Sequence, residues 1–193
     1  MIGRKIFIQF DGVLFGYDVY INGKHLGNWC YAFNAKSFDI TDFVDFAGEN
    51  LLAVRVSTRS WGSRFDVSDC WALSGIFRDV IIFDTPQTYI QDYTVHTKTD
   101  SENSASVSVF VDLKDFEKTS LEKLQIKGIL TSPSGKEINL KIPVTKLSGN
   151  SFQFKVKSPV LWTAENPLLY NLKLLLLRNG QIIQEKNQVV GIR

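Results

Sequence analysis

Residues 59–80 combine aromatic and acidic side chains in a segment that the surrounding pattern predicts to be a loop between two strands. The side chains there that are suited to binding a ligand are Trp61, Phe65, Asp66, Asp69 and Trp71. Aromatic faces stack on the apolar faces of sugar rings, and carboxylates accept hydrogen bonds from sugar hydroxyls, so this composition suits a carbohydrate. The alternative, which composition alone favours, is that Trp61, Phe65 and Trp71 cap the end of a sandwich core.

Other catalytic chemistries have little support in the sequence. His25 and His96 are far apart, and no spacing links either of them to an activated Ser or Cys, so both are interpreted as ordinary surface or half-buried residues. A Gly-rich phosphate-binding loop is absent from the sequence. A glycosidase needs two carboxylates held roughly 5–10 Å apart. The acidic residues here are scattered, and most are expected in turns, where Asp bonds its own backbone.

The composition argues against several classes of protein. The net charge of +2 is far from the strongly basic balance of a nucleic-acid binder. No apolar run approaches the roughly 20 residues of a membrane-spanning helix, and the N-terminus shows no apolar signal region. Cys30 and Cys70 are too few for a disulfide scaffold or a zinc cluster. A bridge between them stays open, and two unpaired buried thiols are favoured.

Alternation of apolar and polar residues predicts strands in the first half of the chain. Residues 17–21 alternate, and Asn22-Gly23 then supplies a type I′ hairpin turn. Residues 52–57 alternate in the same way. Residues 77–83 form a nearly continuous apolar run, which predicts a strand that is buried on both faces.

The second half has the pattern of an immunoglobulin-like sandwich. Seven strands are predicted in about 105 residues, near 88–97, 106–113, 123–130, 138–145, 152–157, 168–177 and 181–190. Pro143 cannot donate to a central ladder, so its strand is predicted to lie at a sheet edge. Asn179-Gly180 supplies another hairpin turn.

A change in composition near Pro86 predicts a domain boundary. Residues 1–85 hold 16 of the 24 aromatic residues and carry a net charge of −2, whereas residues 86–193 carry +4. Proline punctuates the connection between elements, so two modules are predicted, 1–85 and 86–193.

Six segments, in order along the chain, resemble motifs of glycoside hydrolase family 2, and of its β-galactosidases most. They are DVYINGKHLG at 18–27, FDITD at 38–42, GENLLAVRV at 48–56, VSDCWALSGIFRDV at 67–80, LWTAENPLLY at 161–170 and VGIR at 190–193. The resemblance implies an all-β chain, with an incomplete jelly-roll sugar-binding module at 1–85 followed by an immunoglobulin-like module at 86–193. It also implies that the catalytic carboxylates lie in a (β/α)8 barrel beyond Arg193, so that this chain is an internal, non-catalytic piece of a retaining β-glycosidase.

The resemblance also implies a site. Asp69 matches an aspartate that reaches the barrel's active site, touches the hydroxyls of the substrate and helps to hold a sodium ion, and Trp71 matches its aromatic neighbour. Sodium, with magnesium as a second candidate, is expected only together with the barrel. Val67, Ser68, Cys70 and Ala72 depart from the β-galactosidase motif. The β-glucuronidase and β-mannosidase branches of the family therefore stay open.

The partners that the resemblance implies are the catalytic barrel and carbohydrate, with a homo-oligomer left open and neither nucleic acid nor membrane expected. A bacterial cytoplasm or periplasm is the expected compartment, and the sequence does not choose between them. Two other functions remain. One is a free-standing carbohydrate-binding module, for which Trp29 and Tyr31 are the other candidate aromatic platform. The other is a structural spacer without affinity for sugar.

Overall fold

The computed structural model describes residues 3–64, 74–101, 103–118 and 120–193 of the chain. It divides into two compact units, which meet at Thr85 and Pro86. Both units consist of β-strands, and the described helices are two 3-10 turns, Gly62–Arg64 and Leu121–Lys123. The predicted all-β architecture is confirmed. None of the helices in the described ranges has the length and apolar character needed to cross a membrane.

The first unit contains two antiparallel three-stranded sheets and a two-residue ribbon. Its strands are β1 (Lys5–Phe10), β2 (Val13–Leu14), β3 (Gly16–Ile21), β4 (Lys24–Trp29), β5 (Lys36–Asp39), β6 (Leu52–Ser57), β7 (Gly75–Ile76) and β8 (Val80–Thr85). The strand orders are β5-β1-β8, β4-β3-β6 and β2-β7. Alternate residues of β1 and β3 point into one shared apolar core, which includes Ile8, Phe10, Tyr17 and Val19.

The predicted hairpin at Asn22-Gly23 joins β3 to β4. Asn22 has φ 51° and Gly23 has φ 78°, the left-handed backbone that a type I′ turn requires at both central positions. The Asn22 side chain also ties this turn to the next part of the chain, because its oxygen accepts from the Leu51 N–H at 2.9 Å. The sequence predicted this element correctly.

The run at 77–83, predicted to be a strand buried on both faces, forms an exposed edge strand instead. β8 pairs with β1, and the described residues place no strand on its other side. Ile82 is 67% exposed and lines an open cavity of about 330 Å³, together with Ile8, Ile21 and Leu52. The prediction was wrong because a continuous apolar run does not distinguish a central strand from an edge strand with two apolar faces.

The second unit has seven strands among its described residues, in two antiparallel sheets. They are β9 (Thr88–Ser101), β10 (Ser104–Asp115), β11 (Leu124–Thr131), β12 (Glu137–Pro143), β13 (Asn150–Lys157), β14 (Tyr170–Arg178) and β15 (Gln181–Val190). The strand orders are β13-β10-β9 and β12-β11-β14-β15. The strand that contains Pro143 lies at a sheet edge, as predicted.

Alternate residues of both sheets fill the core of this second unit. Val107 and Val109 from β10 meet Phe154 from β13 and Leu172 and Leu174 from β14, all essentially inaccessible to solvent. Buried and more exposed residues alternate along β11 and β13, one strand from each sheet, which is the signature of a sandwich with one apolar layer. The predicted immunoglobulin-like architecture is therefore confirmed.

Cys30 follows β4 and is half-buried. Cys70 lies outside the described residues, so the choice between a bridge and two unpaired thiols stays a prediction.

Candidate functional site

The predicted ligand-binding residues Asp69 and Trp71 lie outside the described residues, as do Phe65, Asp66 and Cys70. The roles that the resemblance implies for them therefore stay predictions. Both flanks of this segment, up to Arg64 and from Ser74 onward, are described. Those flanks show how the fold positions the two ends of residues 65–73.

The first flank is held by the start of β3. The Ser60 hydroxyl donates a hydrogen bond to the carbonyl oxygen of Phe15 at 3.0 Å. Gly16 lies directly beside Ser60, since a β-carbon on Gly16 would stand 2.9 Å from the Ser60 Cβ. Close approach of this backbone to the Ser60 side chain therefore requires glycine at position 16.

Trp61, the next residue, is 78% exposed. Its ring contacts the Arg64 guanidinium, whose central carbon lies 5.6 Å from the ring centroid. The expectation that Trp61 caps the sandwich core is therefore wrong. The indole ring instead presents a large apolar face to solvent, in the flank that precedes residues 65–73 in the sequence.

The second flank is held by the residues just before β3. Gly75 and Ile76 pair with Leu14 and Val13, and Gly75 has φ 76°, a conformation that favours glycine. The Phe77 N–H donates to the Gly12 carbonyl at 3.2 Å. Residues 12–16 thus contact the described chain on both sides of positions 65–73, at Ser60 before them and at residues 75–77 after them. We call residues 12–16 the clamp segment.

Arg78 reinforces the second flank. Its guanidinium carbon lies 5.7 Å and 5.4 Å from the ring centroids of Phe33 and Phe77, and a guanidinium N–H reaches the Phe33 carbonyl at 3.3 Å. Arginine suits this position because its planar cation stacks on aromatic faces while its N–H groups donate. Neither Arg78 nor the clamp segment was predicted from the sequence, in which the available signal was the glycine pair Gly12 and Gly16.

The alternative aromatic platform, Trp29 with Tyr31, is only partly available to a ligand. The Lys36 ammonium lies 4.5 Å from the Trp29 ring centroid, and Trp29 packs against the apolar core. The indole Nε1 is buried, and no hydrogen-bond partner for it lies in the part of the chain that the structure describes. Tyr31 meets the indole ring at 5.2 Å and an angle of 68°, and is 49% exposed. Because one indole face already holds a cation, Tyr31 is the more accessible ring of the pair.

The histidines have the surroundings of ordinary surface residues. His25 Nε2 lies 3.3 Å from the Asp18 carboxylate, which also accepts from Arg55 at 2.9 Å. The His96 ring lies 5.6 Å from the Phe110 ring. Within the described ranges, no hydrogen bond joins either histidine to a Ser, Thr or Cys side chain.

Tyr17 and Asp39, both in the first unit, have pKa values that depart from the ordinary ones. Burial raises the pKa of the Tyr17 hydroxyl to about 12, and this hydroxyl has no hydrogen-bond partner among the described residues. Asp39, in the FDITD motif, is shifted the other way. Partial burial would raise its pKa, but hydrogen bonds from the Thr41 hydroxyl and N–H and the ammonium of Lys5 at 3.0 Å together lower it. Both shifts belong to residues that shape the fold.

No group of three or more His, Cys, Asp or Glu side chains among the described residues is arranged to hold a metal ion. The sodium and magnesium ions that the resemblance implies, expected only together with the barrel, therefore stay a prediction. The one residue predicted to bind sodium, Asp69, lies outside the described ranges.

Two family models cover the chain. "Glycosyl hydrolases family 2, sugar binding domain" matches residues 1–86, and "Glycosyl hydrolases family 2" matches residues 88–193. A β-galactosidase from Priestia megaterium is 35% identical over an alignment of 199 positions. This alignment covers 98% of this chain and 19% of that protein. A β-galactosidase from Halalkalibacterium halodurans is 31% identical, and the match covers 100% of this chain and 19% of that protein. The chain thus spans about a fifth of the length of these curated relatives.

Solved structures agree with the sequence relatives. A glycosyl hydrolase family 2 member from Bacteroides cellulosilyticus has a TM-score of 0.82 and 27% identity, with 100% of this chain and 25% of that chain covered. Bacteroides uniformis β-glucuronidase 2 has a TM-score of 0.78 and 26% identity, with 99% and 24% covered. Matches along nearly the whole chain, to family models, sequences and structures alike, show that it belongs to glycosyl hydrolase family 2 and carries that family's sugar-binding and immunoglobulin-like domains.

Proposed function

We propose that the chain is the non-catalytic N-terminal part of a longer retaining β-galactosidase that degrades carbohydrate. The observation that carries this proposal is the match to β-galactosidases at 31–35% identity along 98–100% of the chain, although it spans only about a fifth of their length. The two catalytic carboxylates of a retaining enzyme stand about 5–5.5 Å apart. They would belong to a (β/α)8 barrel outside residues 1–193.

The first unit would help to shape the active site of that barrel. The clamp segment supports this role, since it holds the backbone at Ser60 and Phe77 on either side of residues 65–73. Asp69 would accept hydrogen bonds from the hydroxyls of the substrate, and Trp71 would offer an apolar ring face to the sugar. A sodium ion, when bound beside Asp69, would orient substrate oxygens, and magnesium is the second candidate ion of the whole enzyme.

The first test uses the purified 193-residue chain and an aryl β-galactoside. We expect no turnover above that of a mock purification, because the acid and the nucleophile of the reaction lie outside the chain. Turnover that copurifies with the chain through two different columns would contradict the proposal.

The second test uses the longer protein and the substitution Asp69→Asn. Removing one charged contact that strengthens in the transition state should lower kcat/KM by at least about 100-fold. Asp42→Asn, at an exposed carboxylate of the same unit, is the matched control and should change kcat/KM by less than about threefold. A variant Asp69→Asn with the activity of the parent would show that Asp69 does not act in the site.

The sugar itself is tested by comparing aryl β-galactoside, β-glucuronide and β-mannoside in the longer protein. The β-glucuronidase alternative has one specific support, the structural match to Bacteroides uniformis β-glucuronidase 2. We expect the galactoside to have the highest kcat/KM. A higher value for the glucuronide would place the protein in that branch of the family instead.

A free-standing carbohydrate-binding module is the remaining alternative, and it predicts that the isolated chain binds sugar. The exposed ring of Tyr31 is the residue to test. Galactose binding by the isolated chain that is lost in Tyr31→Ala would favour this alternative. We expect no binding in either form, because the Trp29 face beside it already holds Lys36.

A further inference from the structure

The chain contains two Asn-Gly dipeptides, Asn22-Gly23 and Asn179-Gly180, and each forms the turn of a β-hairpin. The two turns share one backbone conformation. Asn22 and Asn179 both have φ 51°, and the glycines that follow have φ 78° and 81°. Because the dipeptide and the turn are the same, the two sites form a matched pair within one molecule.

The matching extends to the backbone hydrogen bonds. The Asn22 N–H donates to the Leu51 carbonyl at 2.9 Å, and the Asn179 N–H donates to the Lys123 carbonyl at 2.9 Å. In each turn, the backbone N–H of the asparagine therefore bonds to a segment of the same unit that lies outside the hairpin. Differences in reactivity between the sites must come from their side chains.

The side chain of Asn22 is fully engaged. Its amide nitrogen donates to the Phe43 carbonyl at 3.0 Å and to the Asn50 side-chain oxygen at 2.9 Å. Its oxygen accepts from the Leu51 N–H at 2.9 Å. Any reaction that rotates this amide or expels its nitrogen must first break these bonds.

The side chain of Asn179 has no such restraint. It is exposed, and no hydrogen bond or ion pair to its amide is present among the described residues. Gly180 is also exposed, and a β-carbon built on it would have no heavy atom within 4 Å. Solvent therefore reaches both the Asn179 amide and the Gly180 nitrogen.

We propose that Asn179 is a site of spontaneous deamidation in the folded protein and that Asn22 is protected. Asn-Gly suits this chemistry because glycine has no side chain to hinder its backbone nitrogen. Hydroxide removes the proton from the Gly180 nitrogen, which forms a bond to the Asn179 side-chain carbon. The bond from that carbon to Nδ2 breaks, and ammonia leaves after taking a proton from water. Water then opens the resulting imide at either carbonyl and gives aspartate or isoaspartate.

The modification would change the hairpin end of β14 and β15. Either product adds a carboxylate next to Arg178, whose guanidinium already pairs with Glu117 at 2.7 Å. Isoaspartate also adds a methylene to the main chain of a two-residue turn, between the paired residues Arg178 and Gln181. Because register in such a hairpin is set by loop length, this product should fray the end of the ladder.

The test incubates the purified chain at mildly alkaline pH and follows both sites by peptide mapping and mass spectrometry. In the folded chain we expect Asn179 to deamidate at least about tenfold faster than Asn22, a ratio that corresponds to about 1.4 kcal/mol in activation free energy. In denaturant the two sites should react at similar rates, since both are Asn-Gly in an unstructured chain. The substitution Asn50→Ala, which removes one hydrogen bond to the Asn22 amide, should raise the deamidation rate at Asn22 and leave the rate at Asn179 unchanged.

Equal rates at the two sites in the folded chain would overturn the proposal, and so would a faster Asn22. A preference for Asn179 that persists in denaturant would also overturn it, because the cause would then be the flanking sequence rather than the fold. The denatured measurement needs no folded variant, so it decides the matter even if Asn50→Ala fails to fold.

Discussion

Gly12 lies so close to Phe77 that a β-carbon at position 12 would stand 2.8 Å from the Phe77 ring. The clamp segment therefore packs closely against Phe77, which follows residues 65–73 in the sequence. This close packing leaves no room for a larger residue at position 12. Gly12→Ala should therefore destabilise the first unit by about 1–3 kcal/mol, the usual cost of overpacking. Urea unfolding followed by tryptophan fluorescence measures this loss. In a Phe77→Ala background the same substitution should cost less, with a remainder from Arg78, whose Cδ would stand 2.9 Å from the new β-carbon. An equal cost there would refute the contact with the Phe77 ring as the cause.

Arg78→Ala should loosen the second flank. The substitution removes the stacking on Phe33 and Phe77 and the hydrogen bond to the Phe33 carbonyl, at a cost of about 1–2 kcal/mol. We expect faster chymotrypsin cleavage within residues 65–73, read by mass spectrometry. Arg59→Ala is the matched control, since Arg59 precedes the other flank, and should leave the cleavage rate unchanged. Equal acceleration in both variants would mean that Arg78 does not anchor the flank.

The first unit should exchange its backbone amides faster than the second. Its described core cluster holds 9 buried residues, against 19 in the second unit, and β8 is exposed. Because less apolar surface is buried, local opening of the first unit should require less free energy. Native-state hydrogen exchange with mass spectrometry tests this prediction. Equal or stronger protection in β1, β3 and β8 than in β10, β11 and β14 would contradict it.

Ile82→Glu should reduce self-association of the purified chain. Ile82 is 67% exposed on an apolar edge strand, a kind of surface that pairs readily with other chains. Ile182→Glu is the matched control, because Ile182 is 58% exposed but lies on β15 of the second unit. Sedimentation velocity across a concentration series should show less association only for Ile82→Glu. The same decrease in both variants would mean that added charge, rather than the β8 edge, is responsible.

Asp39 should make stability depend on pH at the acidic end. Its pKa in the folded chain lies below the ordinary value of 3.8, so the unfolded chain binds protons more readily as the pH falls. The contribution of Asp39 is therefore complete near neutral pH and is lost as the pH drops below about 4. Asp39→Asn should lower the free energy of unfolding at pH 6 and much less at pH 3, by urea titration. A constant difference between the two proteins across this range would exclude the linkage.

The sequence predicted those elements whose structure is set by local chemistry. Asn22-Gly23 and Asn179-Gly180 form hairpins because a two-residue turn needs left-handed backbone at both positions. The strict alternation around Val107 and Val109 was enough to predict the sandwich core. Each of these patterns spans only a few neighbouring residues.

The parts that the sequence did not predict depend on partners far along the chain. The exposure of Ile82 depends on whether a second strand pairs with β8. The pattern of the neighbouring residues does not indicate this. The contacts of Ser60 with Phe15 and of Arg78 with Phe33 each join residues 45 positions apart. Of the candidate site itself, residue types and a motif predicted Asp69 and Trp71, but not the clamp segment that holds their flanks.

The clamp segment also has a consequence for the order of events during synthesis. Residues 12–16 leave the ribosome before their partners Ser60, Gly75 and Phe77, which are made 45 to 65 positions later. At roughly 5–20 residues per second, translation leaves this segment without its partners for several seconds. The contacts of the clamp segment with Ser60, Gly75 and Phe77 would therefore be among the last of the first unit to form, since they join residues of the long sequence separation that slows folding.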